Sequence, residues 1–417
     1  MMNRKHAAWG ACDEKVHNMK ICVVGAGSIG GLLGVKLANA GHEVTLIARG
    51  ANLAAIKANG MKLIMHDGQE LVAKDIKATD KIREAGVQDL VILGMKAHQV
   101  EPVAGDLATL NHDNTVILPM QNGIPWWYFQ RHGGLHEGRS IASVDPDGKV
   151  ARTVDPKRIV GCVVYPAAQI AAPGVIHHIE GERFPVGELD ASMGGFDSER
   201  VKMISEVLTG AGFKSPVLPS VRSEIWLKLW GNLTFNPISA LTHSTLVDIC
   251  QYSLTRDLAR NMMKEAQDVA AKLGIAFRVD IDRRIAGAEK VGKHKTSMLQ
   301  DVEAGRDPEI DALVGAVIEL GNTVGVPVPH IEAVYNKIMG RLGSELASYP
   351  MKNNSLTFLP VRLHPPKQPG VPQRVETLAP KTTTIQQVQI AFSSPTNLPE
   401  AGAYEKAIRV ALGEKAH

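Results

Sequence analysis

The stretch KLWGNLTFNP, Lys228 to Pro237, places a lysine and two asparagines, Asn232 and Asn236, at intervals of four residues in an otherwise apolar, tryptophan-rich segment. On a helix these three fall on one face, drifting by roughly 40° per step. Trp226, Trp230 and Phe235 lie mostly elsewhere around the axis and are expected in the core. The polar stripe must therefore meet water or line a cleft, and spacing alone leaves both open. The chemistry it could do is definite. Reduction of a ketone by hydride generates an alkoxide, which a protonated lysine can stabilise and supply with a proton. Lysine is cationic at neutral pH, with a reference pKa of about 10.4. Asparagine amides could hold a carboxylate without adding charge. Pro237 lacks an N–H and disfavours helical geometry at Asn236, so a kink is expected at this face.

A second constellation lies near the N-terminus. GAGSIGG supplies Gly25, Gly27 and Gly30 in Gly-x-Gly-x-x-Gly spacing, with Ala26, Ser28 and Ile29 between them. It follows a strand-like KICVVG and opens a helical pattern, which suits a pyrophosphate at a helix N-terminus. Where an NAD-binding domain usually carries Asp or Glu, at the end of the second strand, this chain has Arg49. A guanidinium can bond the 2′-phosphate that a carboxylate would repel, so NADPH is the preferred cofactor. MKAHQ, with Lys96, and PMQNGIP, with Asn122 and Gly123, lie at carboxyl ends of later strands, where ligands of open α/β sheets bind. In HKTSMLQDVEAGRDPEID, Ser297 with Gln300 reads as a capping box, Asp307-Pro308 as a helix start, and Glu309 as a first-turn carboxylate. Structural roles account for Ser297 and Glu309 without a ligand.

The elements expected to carry these residues divide the chain. Short apolar strands alternate with amphipathic helices from Met19, as in a doubly wound α/β sheet, with DLVILGM and NTVILPM as later strands. GVIHHIEG and ERFPVGEL read as a terminal hairpin, followed by a helix from about Ser198 to Gly210. After about Ser220 long helical periods take over. We read residues 1–18 as an unstructured extension and 19–218 as a Rossmann-type dinucleotide-binding domain. Residues 219–349 form an all-helical substrate and catalytic domain, and 350–417 a Pro-rich flexible tail holding nine of the 23 prolines.

Composition limits the partners. Lys+Arg 46 against Asp+Glu 43 gives a formal +3, no basis for nucleic acid or an anionic membrane. The four cysteines are scattered, without metal-ligand or Cys-x-x-Cys spacing, so no metal is expected. The start lacks the apolar region of a signal peptide, and a cytoplasmic protein is expected. A homodimer stays open.

Taken together, MKICVVGAGSIGG, MKAHQ, PMQNG, KLWGNLTFNPISAL and SMLQDVEAGRDPEID resemble the ketopantoate reductase family, over roughly Met19 to Leu346. The resemblance implies NADPH-dependent reduction of 2-dehydropantoate to (R)-pantoate, on the route to pantothenate and coenzyme A. It implies Lys228 as the proton donor and Asn232 and Asn236 as substrate amides. Ser297 would lie near the substrate carboxylate and Glu309 at its hydroxyl end. In the cofactor domain, it implies Gly25 to Gly30 as the phosphate loop, Arg49 as the 2′-phosphate ligand, Lys96 as a cofactor contact and Ala167 as a backbone contact. Asn122 would lie between nicotinamide and substrate. The chain departs from the family pattern at Leu246, where the family often has an asparagine, and the polar position before SMLQ is His294. Residues 131–158 look longer than usual, with WWYFQRHGG placed to remodel the entrance. Two other readings stay open: a paralogue acting on a different branched 2-oxo acid or a 3-hydroxy acid, and a regulator that senses NADPH without chemistry.

Overall fold

The computed structural model describes residues 18–190 and 198–346. The extension read over 1–18 lies outside them except for its last residue, and the tail read over 350–417 lies outside them entirely. The chain falls into two compact units, Met1–Ile338 and Met339–His417. Of the second, only the last turns of the final helix are described.

In chain order the first elements are β1 (Lys20–Val24), α1 (Ser28–Asn39), β2 (Glu43–Ile47), α2 (Gly50–Asn59), β3 (Met61–Ile64) and β4 (Glu70–Ala73). Then come β5 (Lys77–Thr79), β6 (Gln88–Leu93), a short α3 (Ala104–Leu107) and β7 (Asn111–Pro119). The main sheet has the order β5-β2-β1-β6-β7, with every pair parallel. Its central strands are buried on both faces, which is why they read as continuous apolar runs rather than as alternation. The strand order reverses between β1 and β6, where such sheets open a crevice at their carboxyl ends. Register brings those ends level: Val24 pairs with Ile47 and Leu93, and Leu93 with Pro119. The glycine loop, Arg49, Lys96 and Asn122 all follow this one edge.

A second sheet, unforeseen in its extent, lies against α1. Beyond α4 (Lys149–Thr153) and β8 (Gly161–Cys162) the chain forms a hairpin of β9 (Ala167–Ala172) and β10 (Val175–Glu180), and β10 joins the β3–β4 hairpin in the order β4-β3-β10-β9. The expected pairing of GVIHHIEG with ERFPVGEL is thus corrected. β10 pairs instead with the preceding β9 across Pro173-Gly174, and β11 (Val186–Gly187) pairs with β8. Gly31 lets α1 approach this sheet, since a Cβ there would come within 2.6 Å of Ile176. The WWYFQ segment is also corrected: Trp127, Tyr128 and Phe129 are almost fully buried, so their apolar area goes into the core rather than the entrance.

After α5 (Glu199–Gly210) the chain turns helical: α6 (Val221–Thr242), α7 (Leu246–Gln251), α8 (Ser253–Lys272), α9 (Ile281–Val291), α10 (Ser297–Glu303), α11 (Ala316–Val324) and α12 (Pro329–Leu346). A π-helical turn, Asp311–Gly315, precedes α11. The side chain of Ser220 caps α6 by accepting from the Ser223 N–H. The helix then runs unbroken through Pro237, although the proline gives up one backbone bond. Trp226, Trp230 and Phe235 are buried as expected; Trp226 donates to the Tyr128 hydroxyl and Trp230 to the Met263 carbonyl. No helix among the described residues is long and apolar enough to cross a membrane.

Gly30 is the tightest point of the glycine loop, because a Cβ there would overlap the Gly25 carbonyl oxygen, which is backbone and cannot swing aside. Gly30→Ala should destabilise the fold by about 1–3 kcal/mol, read as a lower urea midpoint. An unchanged midpoint would show that the loop has slack.

Candidate active site

Lys228 occupies the second turn of α6, and its ammonium is drawn inward. Nζ donates to Oδ1 of Asn122 and to the carbonyl of Val164, and it lies 5.9 Å from the Tyr165 ring centroid. An ammonium has three donors, so two are committed and one remains for another acceptor. Burial lowers the Lys228 pKa to about 8, opposed by the negative charge of Glu309 and by Cys162. The stripe thus lines a cleft at this position rather than water.

Both acceptors are fixed by backbone geometry. In MQNGI, Gln121 donates to the carbonyls of Leu93 and Met95, anchoring the loop to the end of β6. Gly123 has φ +85, and a Cβ there would overlap the Ala312 carbonyl, which also accepts from the Ile124 N–H at 2.9 Å. Asn122 is held between these anchors. On the other side, the Val163 and Tyr165 N–H groups donate to the Pro185 and Arg183 carbonyls at 3.0 and 3.1 Å. By strand alternation the Val164 carbonyl then points the opposite way, toward Lys228.

Glu309 joins the same cluster. Asn122 is bonded to its carboxylate, as is the Ala97 N–H at 3.4 Å. Burial raises its pKa, while Lys96, these two bonds and Lys228 hold it down. The expected helix start at Asp307-Pro308 shifts two residues on: Glu309 precedes the helix, and its carbonyl accepts from Leu313 as an N-cap does. The π-helical turn begins beside it, a feature often found at functional sites.

Farther along the stripe, Asn232 is half-buried and makes no side-chain hydrogen bond among the described residues. Asn236 is buried, and its amide lies 3.5 Å from the Ser297 hydroxyl. The capping box expected from Ser297 and Gln300 is not formed. Thr296 is the cap, accepting from the Leu299 N–H at 3.3 Å, and Ser297 is the exposed first residue of α10. Leu246 and His294 are neighbours, joined by a backbone bond of 3.0 Å from Leu246 N–H to His294 O.

On the sheet side, Gly25 has φ +104, and a Cβ there would come within 3.2 Å of the Gly94 carbonyl carbon. Gly27 is the N-cap of α1 and has no side chain to occupy the N–H groups of Ser28, Ile29 and Gly30, which lack intrahelical acceptors. Narrow backbone and free donors at a helix start are what a pyrophosphate needs, so the residues fit a dinucleotide. Arg49 is exposed at the start of α2, and its side chain forms no hydrogen bond or ion pair among the described residues, while its carbonyl accepts from the Leu53 N–H at 3.2 Å. Ala167 opens β9, three residues beyond Val164. Lys96 is placed differently from the other candidates, since its ammonium bonds Asp301 at 3.0 Å and the Asp307 carbonyl at 2.6 Å.

Four residues at the cleft escaped the sequence reading. The Tyr165 hydroxyl donates to Glu224 at 2.9 Å, and Arg183 bonds the same oxygen at 2.6 Å. Glu224 stands four residues before Lys228, so extending the stripe back by one turn would have found it. Tyr165 and Arg183 belong to distant segments and leave no spacing signal. The fourth, Arg284 of α9, lies against Gly231, where a Cβ would overlap its guanidinium.

Known proteins resemble this chain over most of its length. Residues 21–191 match the family described as ketopantoate reductase PanE/ApbA, and residues 220–341 its C-terminal counterpart. A 2-dehydropantoate 2-reductase of Mesorhizobium japonicum is 51% identical over 332 residues, covering 79% of this chain and 100% of the relative. A crystal structure from Ralstonia solanacearum MolK2, provisionally designated a ketopantoate reductase, is 36% identical with TM-score 0.73, covering 79% of this chain and 98% of that one. D-mandelate dehydrogenase, solved with NADH and anilino(oxo)acetate, shares the fold at 24% identity and TM-score 0.66, over 78% and 99% of the two chains. The chain belongs to the ketopantoate reductase family of nicotinamide-dependent oxidoreductases.

Proposed function

We propose that this protein reduces 2-dehydropantoate to (R)-pantoate with NADPH, a step toward pantothenate and coenzyme A, with Lys228 as the proton donor. The observation that carries the reading is the buried Lys228 ammonium, held by Asn122 and Val164 with one donor uncommitted. Bound NADPH would supply the hydride to the ketone carbon. The chain's own groups do the rest. Lys228 hydrogen-bonds the ketone oxygen and gives up its proton as negative charge develops there. Its pKa near 8 keeps it mostly protonated at neutral pH while easing the transfer. Asn232 and Asn236 bind polar groups of the substrate, with Ser297 beside Asn236, and Glu309 accepts from the hydroxyl at the far end. Gly25 to Gly30 cradle the pyrophosphate, and Arg49 binds the 2′-phosphate. Two donors of the Lys96 ammonium are taken by Asp301 and the Asp307 carbonyl, so it meets the cofactor with its third or by exchanging one of these bonds.

A panel of 2-oxo acids assayed by NADPH oxidation should show 2-dehydropantoate as the best substrate; turnover of another acid in its place would retire that assignment. Lys228→Ala should lower turnover by about 10²–10⁴-fold with NADPH affinity unchanged. Retained activity would contradict the proton-donor role and favour a cofactor sensor.

The pH dependence has a definite sign. The acid form of Lys228 is required and its pKa is depressed to about 8, so kcat/KM for reduction should be level below pH 8 and fall about tenfold per unit above it. A profile level to pH 10 would exclude this lysine as the acid. For the cofactor, Arg49→Glu should weaken NADPH binding by about 10–100-fold, the worth of one charge-assisted bond, and NADH far less. Equal loss for both, read by fluorescence titration, would remove Arg49 from the 2′-phosphate site.

A further inference from the structure

Most charges around the cleft are accounted for by partners. Glu224 is taken by Tyr165 and Arg183, Asp301 by Lys96 and Arg306, and Lys228 lies in the field of Glu309. Besides the exposed Arg49, Arg284 is an exception among the described residues. No carboxylate forms an ion pair with it among the described residues, and its buried Nε has no hydrogen-bond partner there. Burial lowers its pKa, and the nearest titratable group to act on it is Tyr165, whose own phenol is kept neutral by a pKa raised to about 12 and whose ring lies beside Lys228. The side chain is half-buried and its Nε lies wholly out of water, so a guanidinium held there without a counter-charge is costly, and a bound anion would offset that cost.

Its position relative to the stripe is defined by a glycine. The guanidinium lies against Gly231, three residues after Lys228 and one before Asn232, so it flanks the face that carries both. Any side chain at 231 would displace it. The Arg284 side chain is carried by α9, which is held by Ile285 and Ala288 in the core, and the preceding segment is pinned by Phe277 stacked on Trp230 at 4.1 Å. In a 2-oxo acid the carboxylate carbon is bonded directly to the ketone carbon. A ketone oxygen bound at Lys228 therefore brings the carboxylate to the adjoining wall, where a planar guanidinium can take both oxygens.

We propose that Arg284, admitted by Gly231, is a specificity-determining residue that binds the carboxylate of the 2-oxo acid. This rests on the reductase reading above and adds the residue that selects acids over neutral ketones. Ser297, beside Asn236 at the other end of the stripe, then assists rather than supplying the counter-charge.

The test uses the full-length enzyme with NADPH and 2-dehydropantoate. Arg284→Met should raise KM for the acid by about 10–100-fold, the worth of a charge-assisted bond, with kcat within about threefold and NADPH affinity unchanged. Arg284→Lys should recover part of the loss. Gly231→Ala, a helix-favouring change whose new methyl meets only the flexible end of Arg284, should raise KM similarly, and should add nothing in the Arg284→Met background. Should Arg284→Met fail to fold, Gly231→Ala alone carries the test. A KM unmoved in these variants would overturn the proposal. A parallel loss of kcat and NADPH affinity would do the same, by making Arg284 a packing residue. Wild-type enzyme inactive on every 2-oxo acid would instead refute the reductase reading itself.

Discussion

The arrangement turns on the withdrawal of one ammonium from water. Lys228 is held by two carbonyl-type acceptors, and neither carries a full charge. Neutral acceptors satisfy the donors without stabilising the cation as an ion pair would, so burial dominates and the pKa falls. Had a carboxylate taken the place of Asn122, the lysine would be tied up and far more basic. Glu309 acts on Lys228 as the carboxylate bonded to Asn122, which keeps the ammonium charged without quenching it.

Much of the fold serves that balance. Asn122 comes from the edge of the main sheet, and its loop is fixed by Gln121 on β6 and by Gly123 against Ala312. Val164 comes from a segment bonded to Arg183 and Pro185. Lys228 comes from a helix whose large aromatics are spent on the core, leaving its small and polar side toward the cleft. Sheet and helices lie in one compact unit, so an altered loop at Gly123 would be felt at Nζ. The cofactor site shares the same sheet edge, so ring and ketone can meet there in this account.

The parallel sheet and the long helices were legible because each has a strong period: buried strands give unbroken apolar runs, and helices such as α8 give a clean stripe. The spacing of Lys228, Asn232 and Asn236 was visible for the same reason, but the period alone could not say whether the stripe met water or a cleft. What failed was decided by pairing between separate segments. The β3–β4 hairpin carries Asp67-Gly68 between apolar runs, with Gly68 at φ +86, a turn signal that could have been read. One neighbour of β10, β9, is joined to it through Pro173-Gly174, a local turn signal that could have been read; the other, β3, is met across a hundred residues, and no local pattern specifies it. The Ser297 capping box failed because Thr296, one residue earlier, also offers a cap oxygen and is the residue that accepts from the Leu299 N–H. Arg284 was invisible for a related reason: a single arginine and a single glycine in separate helices carry no shared spacing.

A structure of the enzyme with NADP and a 2-oxo acid bound tests the central claim most directly, through the distance from Lys228 Nζ to the ketone oxygen. The account predicts hydrogen-bond reach, about 2.7–3.2 Å, with the bond to Asn122 retained. A ketone oxygen bound by Asn236 or Ser297, with Nζ beyond reach, would contradict it.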